Sequence, residues 1–235
     1  TLSGKKSVRG EVWLHMDPSR SGLIPSLWEK DDLGYRDYVE WALDAGMFLF
    51  WRDGKVVANT GQTFRSFLAD GYSGHRATLG DWKLHIQTLF PEARLKSTIE
   101  VRPCDSLPAD LSCAVPALYT GILYDERALS EAEALARTLD HATVERARPD
   151  LVTAGLSARI GSRSAAELAM SLHEIAAGGL ERRARVNARG QDERAHLKRL
   201  LDLNRDGLSP ADRLVEGLSA GDADLGREIL ARTKA

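Results

Sequence analysis

The sequence predicts an α+β fold, a small sheet with one polar face followed by a mainly helical region, and two observations carry that expectation. First, composition changes near residue 125: all five Trp, all five Phe and all five Tyr lie before it, with most of the eight Pro. After it Ala, Leu, Glu and Arg recur at helical spacing without any aromatic residue. Second, MFLFWRDGKVVA (47–58) reads as a β-hairpin, because two β-prone runs flank Asp53-Gly54 and Gly tolerates the positive φ a tight turn needs. The expected division is 1–125 for the sheet-bearing part and 126–235 for the helical part, within one structural domain.

The elements follow in order. SVRGEVWLHM (7–16) reads as a strand, and DPSRSGLIP (17–25) as a turn built from Asp17, Pro18, Ser19 and Gly22. DLGYRDYVEWALDAG (32–46) opens on a capping Asp and spaces Tyr38, Trp41 and Ala42 as a helix does. TFRSFLADG is a short helix, and TLGDWKLHIQTLF a second one halted at Pro91. RLKSTIEVR (94–102) reads as a strand, and LSCAVPALYTGILYD as a largely buried helix bent near Pro116. Helices are then expected at about 127–139, 143–148, 164–185, 191–204, 209–218 and 222–233, with Gly, Pro, Asn or Asp at the breaks.

Composition excludes several function classes. A chain of 235 residues with 28% charged and 43% hydrophobic residues is globular, and its net charge of −2 gives no electrostatic reason to expect nucleic acid. No apolar run reaches the roughly 18 residues of a membrane span. Cys104 and Cys113 lack zinc spacing and suit a reducing compartment, so the expected location is cytoplasmic. Opening on Thr1 in a strand-like run suggests a fragment.

Chemistry concentrates in TIEVRPCD (98–105). On a strand, Glu100 and Arg102 share one face while Ile99 and Val101 form an apolar face suited to packing. The pair is either a solvated edge pair or half of a site for metal and phosphate, Glu100 being a candidate magnesium (Mg2+) ligand. Arg9 and Arg20 add two more guanidiniums, which grip carboxylates or phosphates with paired bonds. His85 suits helix packing or a hydrogen bond. Neither GxGxxG nor GxxxxGK[ST] occurs, so any nucleotide is held by other means.

DWKLHIQTLFPEARLKSTIEVR (81–102) resembles a segment of the glutamate–cysteine ligases of the plant and proteobacterial type. SVRGEVW, DPSRSGLIP, YVEWALDAGMFLF, TGQTFRSFLADG, CAVPALYTGILYDE, AAGGLERRA and DGLSPADRLVEGL agree in order. The resemblance implies a glutamine-synthetase-like antiparallel sheet cup, with the N-terminal half of the enzyme absent and the fragment alone inactive. It implies ATP and Mg2+ as cofactors, and small-molecule substrates: glutamate, activated as an acyl phosphate, and cysteine, whose amine attacks it. A monomer or homodimer is expected, with no nucleic acid and no membrane.

Residue by residue, the resemblance assigns Glu100 to metal, Arg102 to phosphate or glutamate, Arg9 to the substrate glutamate, Arg20 to a catalytic turn and Phe48 to the cysteine pocket. Phe48 stands where the family pattern has Tyr, and Pro103-Cys104 where it has Gly-Ala. Cys113 matches a regulatory cysteine whose partner lies outside this chain. These departures keep open a related carboxylate–amine ligase using glutamate with a different amine; a separate alternative is a non-catalytic helical interaction module with a vestigial sheet.

Overall fold

The computed structural model describes residues 3–218 and 224–234. The chain divides into two compact units: His15–Pro103, and residues up to Leu14 together with those from Cys104 onward.

The first element, α1 (Val8–Leu14), corrects the strand expected over SVRGEVWLHM. The Ser7 hydroxyl accepts from the Gly10 N–H at 2.8 Å, an N-terminal helix cap, and Arg9 lies over the Trp13 ring one turn on, 5.0 Å from its centroid. Those local bonds outweigh the β-branched valines, which stay exposed. Arg9 therefore sits on a helix.

In the unit His15–Pro103, β1 (Ser21–Gly22) is followed by α2 (Ser26–Glu29) and α3 (Tyr35–Asp44), which buries Tyr38 and Ala42 as the spacing predicts. Its cap differs: Asp37, rather than Asp32, reaches back to the Gly34 N–H at 2.9 Å. β2 (Leu49–Arg52) and β3 (Lys55–Ala58) form the expected antiparallel hairpin, with Asp53 (φ 49°) and Gly54 (φ 72°) supplying the double positive-φ turn. α4 (Phe64–Asp70) is capped by Thr63, and α5 (Leu79–Gln87) by a reciprocal box between Thr78 and Asp81. Met47, Phe50, Phe64 and Phe67 form the core between hairpin and helices.

β4 (Phe90–Pro91) runs parallel to β1. RLKSTIEVR is a second hairpin rather than one strand: β5 (Ala93–Leu95) and β6 (Ile99–Val101) pair antiparallel, the Lys96 N–H donating to the Thr98 carbonyl at 2.9 Å. Ile99 and Val101 remain exposed at 64% and 36%, so the apolar face expected to pack does not.

The other unit is helical. α6 (Ala114–Leu123) carries Pro116 in its first turn, where no intrahelical bond needs an N–H. α7 (Glu126–Ala136) and α8 (His141–Ala154) follow. The expected helix 143–148 continues through Pro149, because Ala147 and Val152 are both buried and packing outweighs one lost backbone bond. A short pair, β7 (Arg159–Ile160) and β8 (Arg163–Ser164), leads into α9 (Ala165–Arg183), then α10 (Arg194–Arg205), α11 (Pro210–Val215) and α12 (Leu225–Lys234). Residues 222 and 223 of the last expected helix lie outside the described residues.

α6 and α9 cross at backbone contact: a Cβ on Gly121 would overlap the Ala176 carbonyl, and one on Gly179 would overlap that of Gly121. The described residues thus give an α+β chain with four two-stranded sheets. No helix among them is long and apolar enough to cross a membrane.

Candidate functional site

The β5–β6 hairpin builds the densest charge cluster. Its register sets Arg94 directly opposite Glu100. Arg94 Nε and Nη2 donate to Glu100 Oε2 at 2.8 and 2.6 Å, and Arg102 Nη1 donates to Oε1 at 2.7 Å. Lys96, two residues from Arg94 along β5, holds its ammonium 3.5 Å from Oε2. Bonds from Arg94 are the leading cause that holds the Glu100 carboxyl below the usual carboxylate range, partial burial opposing and Arg102 adding. Arg94 is nearly buried and also donates Nη1 to the Leu89 carbonyl at 3.2 Å. Both guanidiniums lie close to the Phe90 ring, at 5.7 and 5.6 Å from its centroid. Burial pushes the Tyr38 phenol up, while the Leu95 backbone, Arg94 and Arg102 pull it down.

Beside this cluster, between α5 and the hairpin, a cleft of about 470 Å³ is lined by Lys83, Ile86, Gln87, Arg94, Lys96 and Ser97. Lys83 and Gln87 are one turn apart on α5 and so share a face. None of these six residues is acidic, and the carboxylate next to them is Glu100, which pairs with Arg94 and Lys96.

Arg20 is one of the largest buried side chains, at 2% exposure. Its Nε donates to Asp17 Oδ2 at 3.1 Å, Nη1 to Thr88 Oγ1 at 3.1 Å, and Nη2 to the Gly46 carbonyl. Its plane covers the Phe48 ring, 3.4 Å from the centroid. Arg20 thus ties the 17–22 turn to the ends of α3 and α5, and its donors are committed to the fold. His85 is the buried hydrogen-bonding residue its context predicts, with Nε2 2.8 Å from the Ala42 carbonyl. Burial lowers its pKa, so Nε2 carries the proton of a neutral ring.

The structure therefore brings Glu100 to Arg102, and Arg20 to Phe48, while Arg9 belongs to the other unit. Sequence reading passed over Arg94, Lys96 and Lys83. The signal was present in RLKSTIEVR, where a Lys-Ser-Thr turn makes Arg94 and Glu100 cross-strand partners.

A divalent cation does not fit Glu100 as it stands. Both of its oxygens accept guanidinium bonds, and no group of three or more metal-ligating side chains occurs among the described residues. Cys104 and Cys113 are free thiols.

The family described as glutamate-cysteine ligase family 2 (GCS2) matches residues 1–229. The chain belongs to glutamate-cysteine ligase family 2. Among its relatives, the chloroplastic glutamate–cysteine ligase of Medicago truncatula is 36% identical over 219 residues, 91% of this chain and 41% of the relative. Those of Brassica juncea and Arabidopsis thaliana are 35% and 33% identical over 217 residues each, again 91% of this chain, and 41% and 40% of the relatives. This family 2 chain therefore spans about two fifths of the length of the curated relatives it matches. Their chloroplastic naming overturns the cytoplasmic location expected from the cysteines.

Proposed function

We propose that this chain forms part of an ATP-dependent ligase that joins the side-chain carboxylate of glutamate to the amine of cysteine, giving γ-glutamylcysteine through an acyl phosphate. The observation that carries this reading is the family match over residues 1–229, which includes the Arg94–Glu100–Arg102 cluster. ATP would supply the phosphoryl group that activates the carboxylate. The chain's own part is electrostatic: Glu100 locks two guanidiniums in a fixed orientation, so positive charge is in place before negative charge builds on transferring oxygens.

Arg102 is the residue proposed to meet that charge, with Arg94 as its positioning partner. Glu100 is read as the bridge between them rather than as a metal ligand. Arg20 acts as a positioning residue, holding Phe48 beside the turn. Arg9 and Phe48 keep the roles that family resemblance assigns them, toward glutamate and cysteine. The β2–β3 and β5–β6 hairpins are proposed as this chain's share of an antiparallel cup.

The test uses the full-length gene product with ATP, magnesium, glutamate and cysteine, following ADP and dipeptide. Release of ADP dependent on both amino acids is expected, with Arg102→Ala lowering kcat/KM about 100-fold, as loss of a transition-state donor does. Arg9→Ala should raise KM for glutamate and Phe48→Ala KM for cysteine. ADP release independent of the amino acids would defeat the reading. Phe48 offers no hydroxyl and has Arg20 on one face, which favours testing a panel of other amines in the same assay.

A further inference from the structure

The cleft between α5 and the β5–β6 hairpin has a chemistry that the Arg94–Glu100–Arg102 cluster does not absorb. Three of its six lining side chains, Lys83, Arg94 and Lys96, are cationic, and none is acidic. Lys83 makes no ion pair among the described residues, and Lys96 touches only Glu100, at 3.5 Å, with both side chains well exposed. Such a loose surface pair is worth little, so the Lys96 ammonium turns to another anion at small cost. Arg94 behaves differently: nearly buried and held by Glu100 and the Leu89 carbonyl, it is a fixed charge at the end of the wall. Ser97 and Gln87 add neutral hydrogen-bonding groups, and Ile86 an apolar floor. At about 470 Å³ the cleft falls within the usual range for small-molecule sites.

Two exposed ammoniums and one anchored guanidinium around an open cleft suit an anion carrying several charges close together. Glu100 already offsets part of this charge at Arg94, and a single added carboxylate could not meet both ammoniums at once. Lysine ammoniums bind phosphate oxygens as point charges, and a phosphate chain offers enough oxygens to meet both.

We propose that this cleft is a binding site for a polyphosphate-bearing anion, with Lys83 and Lys96 gripping the phosphate chain and Arg94 fixing its end nearest the hairpin. The phosphate chain has two possible sources, the nucleotide of the proposed ligase reaction or a free polyphosphate acting apart from it. The first of these rests on the proposed function; the binding site itself does not.

Calorimetric titration of the full chain with inorganic tripolyphosphate, and separately with ATP, tests the site. Tripolyphosphate should bind, and Lys83→Gln/Lys96→Gln should weaken it at least tenfold. Lys55→Gln, on the β3 end of the other hairpin, should change affinity less than twofold. Both lysines of the double variant are exposed, so its thermal midpoint should match the parent and separate lost binding from lost fold. In the full-length enzyme, a tenfold higher KM for ATP at unchanged kcat would assign the site to the nucleotide. An unchanged KM together with lost tripolyphosphate binding would assign it to a free polyphosphate. No tripolyphosphate binding by the parent chain, or equal loss in Lys55→Gln, overturns the proposal, and neither result bears on whether the enzyme ligates glutamate to cysteine.

Discussion

In the helical unit, α6 and α9 meet through Gly121, Ala176 and Gly179 with backbone against backbone, whereas the unit His15–Pro103 joins its elements with guanidiniums, buried at Arg20 and Arg94 and half-buried at Arg52. Arg20 reaches two carbonyl-bearing helix ends, Arg52 grips Asp81 through paired bonds of 2.7 and 2.6 Å, and Arg94 spans a hairpin. The contrast teaches where chemistry has room. At the α6–α9 crossing, backbone against backbone leaves no room for a side chain, so no charged group enters there. Elements joined by arginine retain fixed positive charge near their surface, and there the candidate site and the basic cleft lie.

The largest effect should come from the helix crossing. Gly179→Val places side-chain atoms where the Gly121 carbonyl now sits and should cost about 3 kcal/mol, the upper end for overpacking a close contact. Urea unfolding measures it; an unmoved midpoint would mean that the helices do not approach this closely. Next, Arg20→Met removes the clamp of the other unit. It strands carbonyl acceptors at Gly46 and the Thr88 hydroxyl, for an expected loss of about 2 kcal/mol by the same measurement.

A pH series compares the two units directly, because each holds one buried histidine. His85 Nε2 lies 2.8 Å from the Ala42 carbonyl and His173 Nε2 3.2 Å from that of Leu197. Burial lowers both pKa values below 6.5, the backbone bond opposing. A depressed base binds protons more readily when unfolded. Stability is therefore complete above about pH 6.5 and falls as pH drops toward the folded pKa, by about 1.4 kcal/mol per pH unit for each histidine at most. Replacing either by Gln should flatten that slope by one proton; a slope unchanged in both variants would show that neither is buried neutral. The smallest effect is expected at Arg65, which pairs with Asp44 and Glu40 on the surface at 2.6 and 2.8 Å. Arg65→Ala should leave the urea midpoint within error, since exposed pairs are screened.

Much of the fold was legible because its signals are local. Thr78 and Asp81 cap α5 three residues apart, Asp53-Gly54 turns the first hairpin, and the helical spacing of Tyr38 and Ala42 names the buried face of α3. The helix over Val8–Leu14, where a strand is expected, also has a local signal: Ser7 caps it, and Val8 and Val12 are four apart, as on a helix. At RLKSTIEVR a three-residue turn was read through as strand, and so the cross-strand partner of Glu100 was missed.

Motif order alone was enough to place the chain in its ligase family and to mark Glu100 and Arg102 as residues of interest. Which charges meet was decided by the tertiary structure. Arg20 finds its acceptors 26 and 68 positions away, and Lys83 joins Lys96 only because α5 packs beside a hairpin. A guanidinium is satisfied by whatever oxygens folding brings within about 3 Å, and no short window of sequence contains those oxygens.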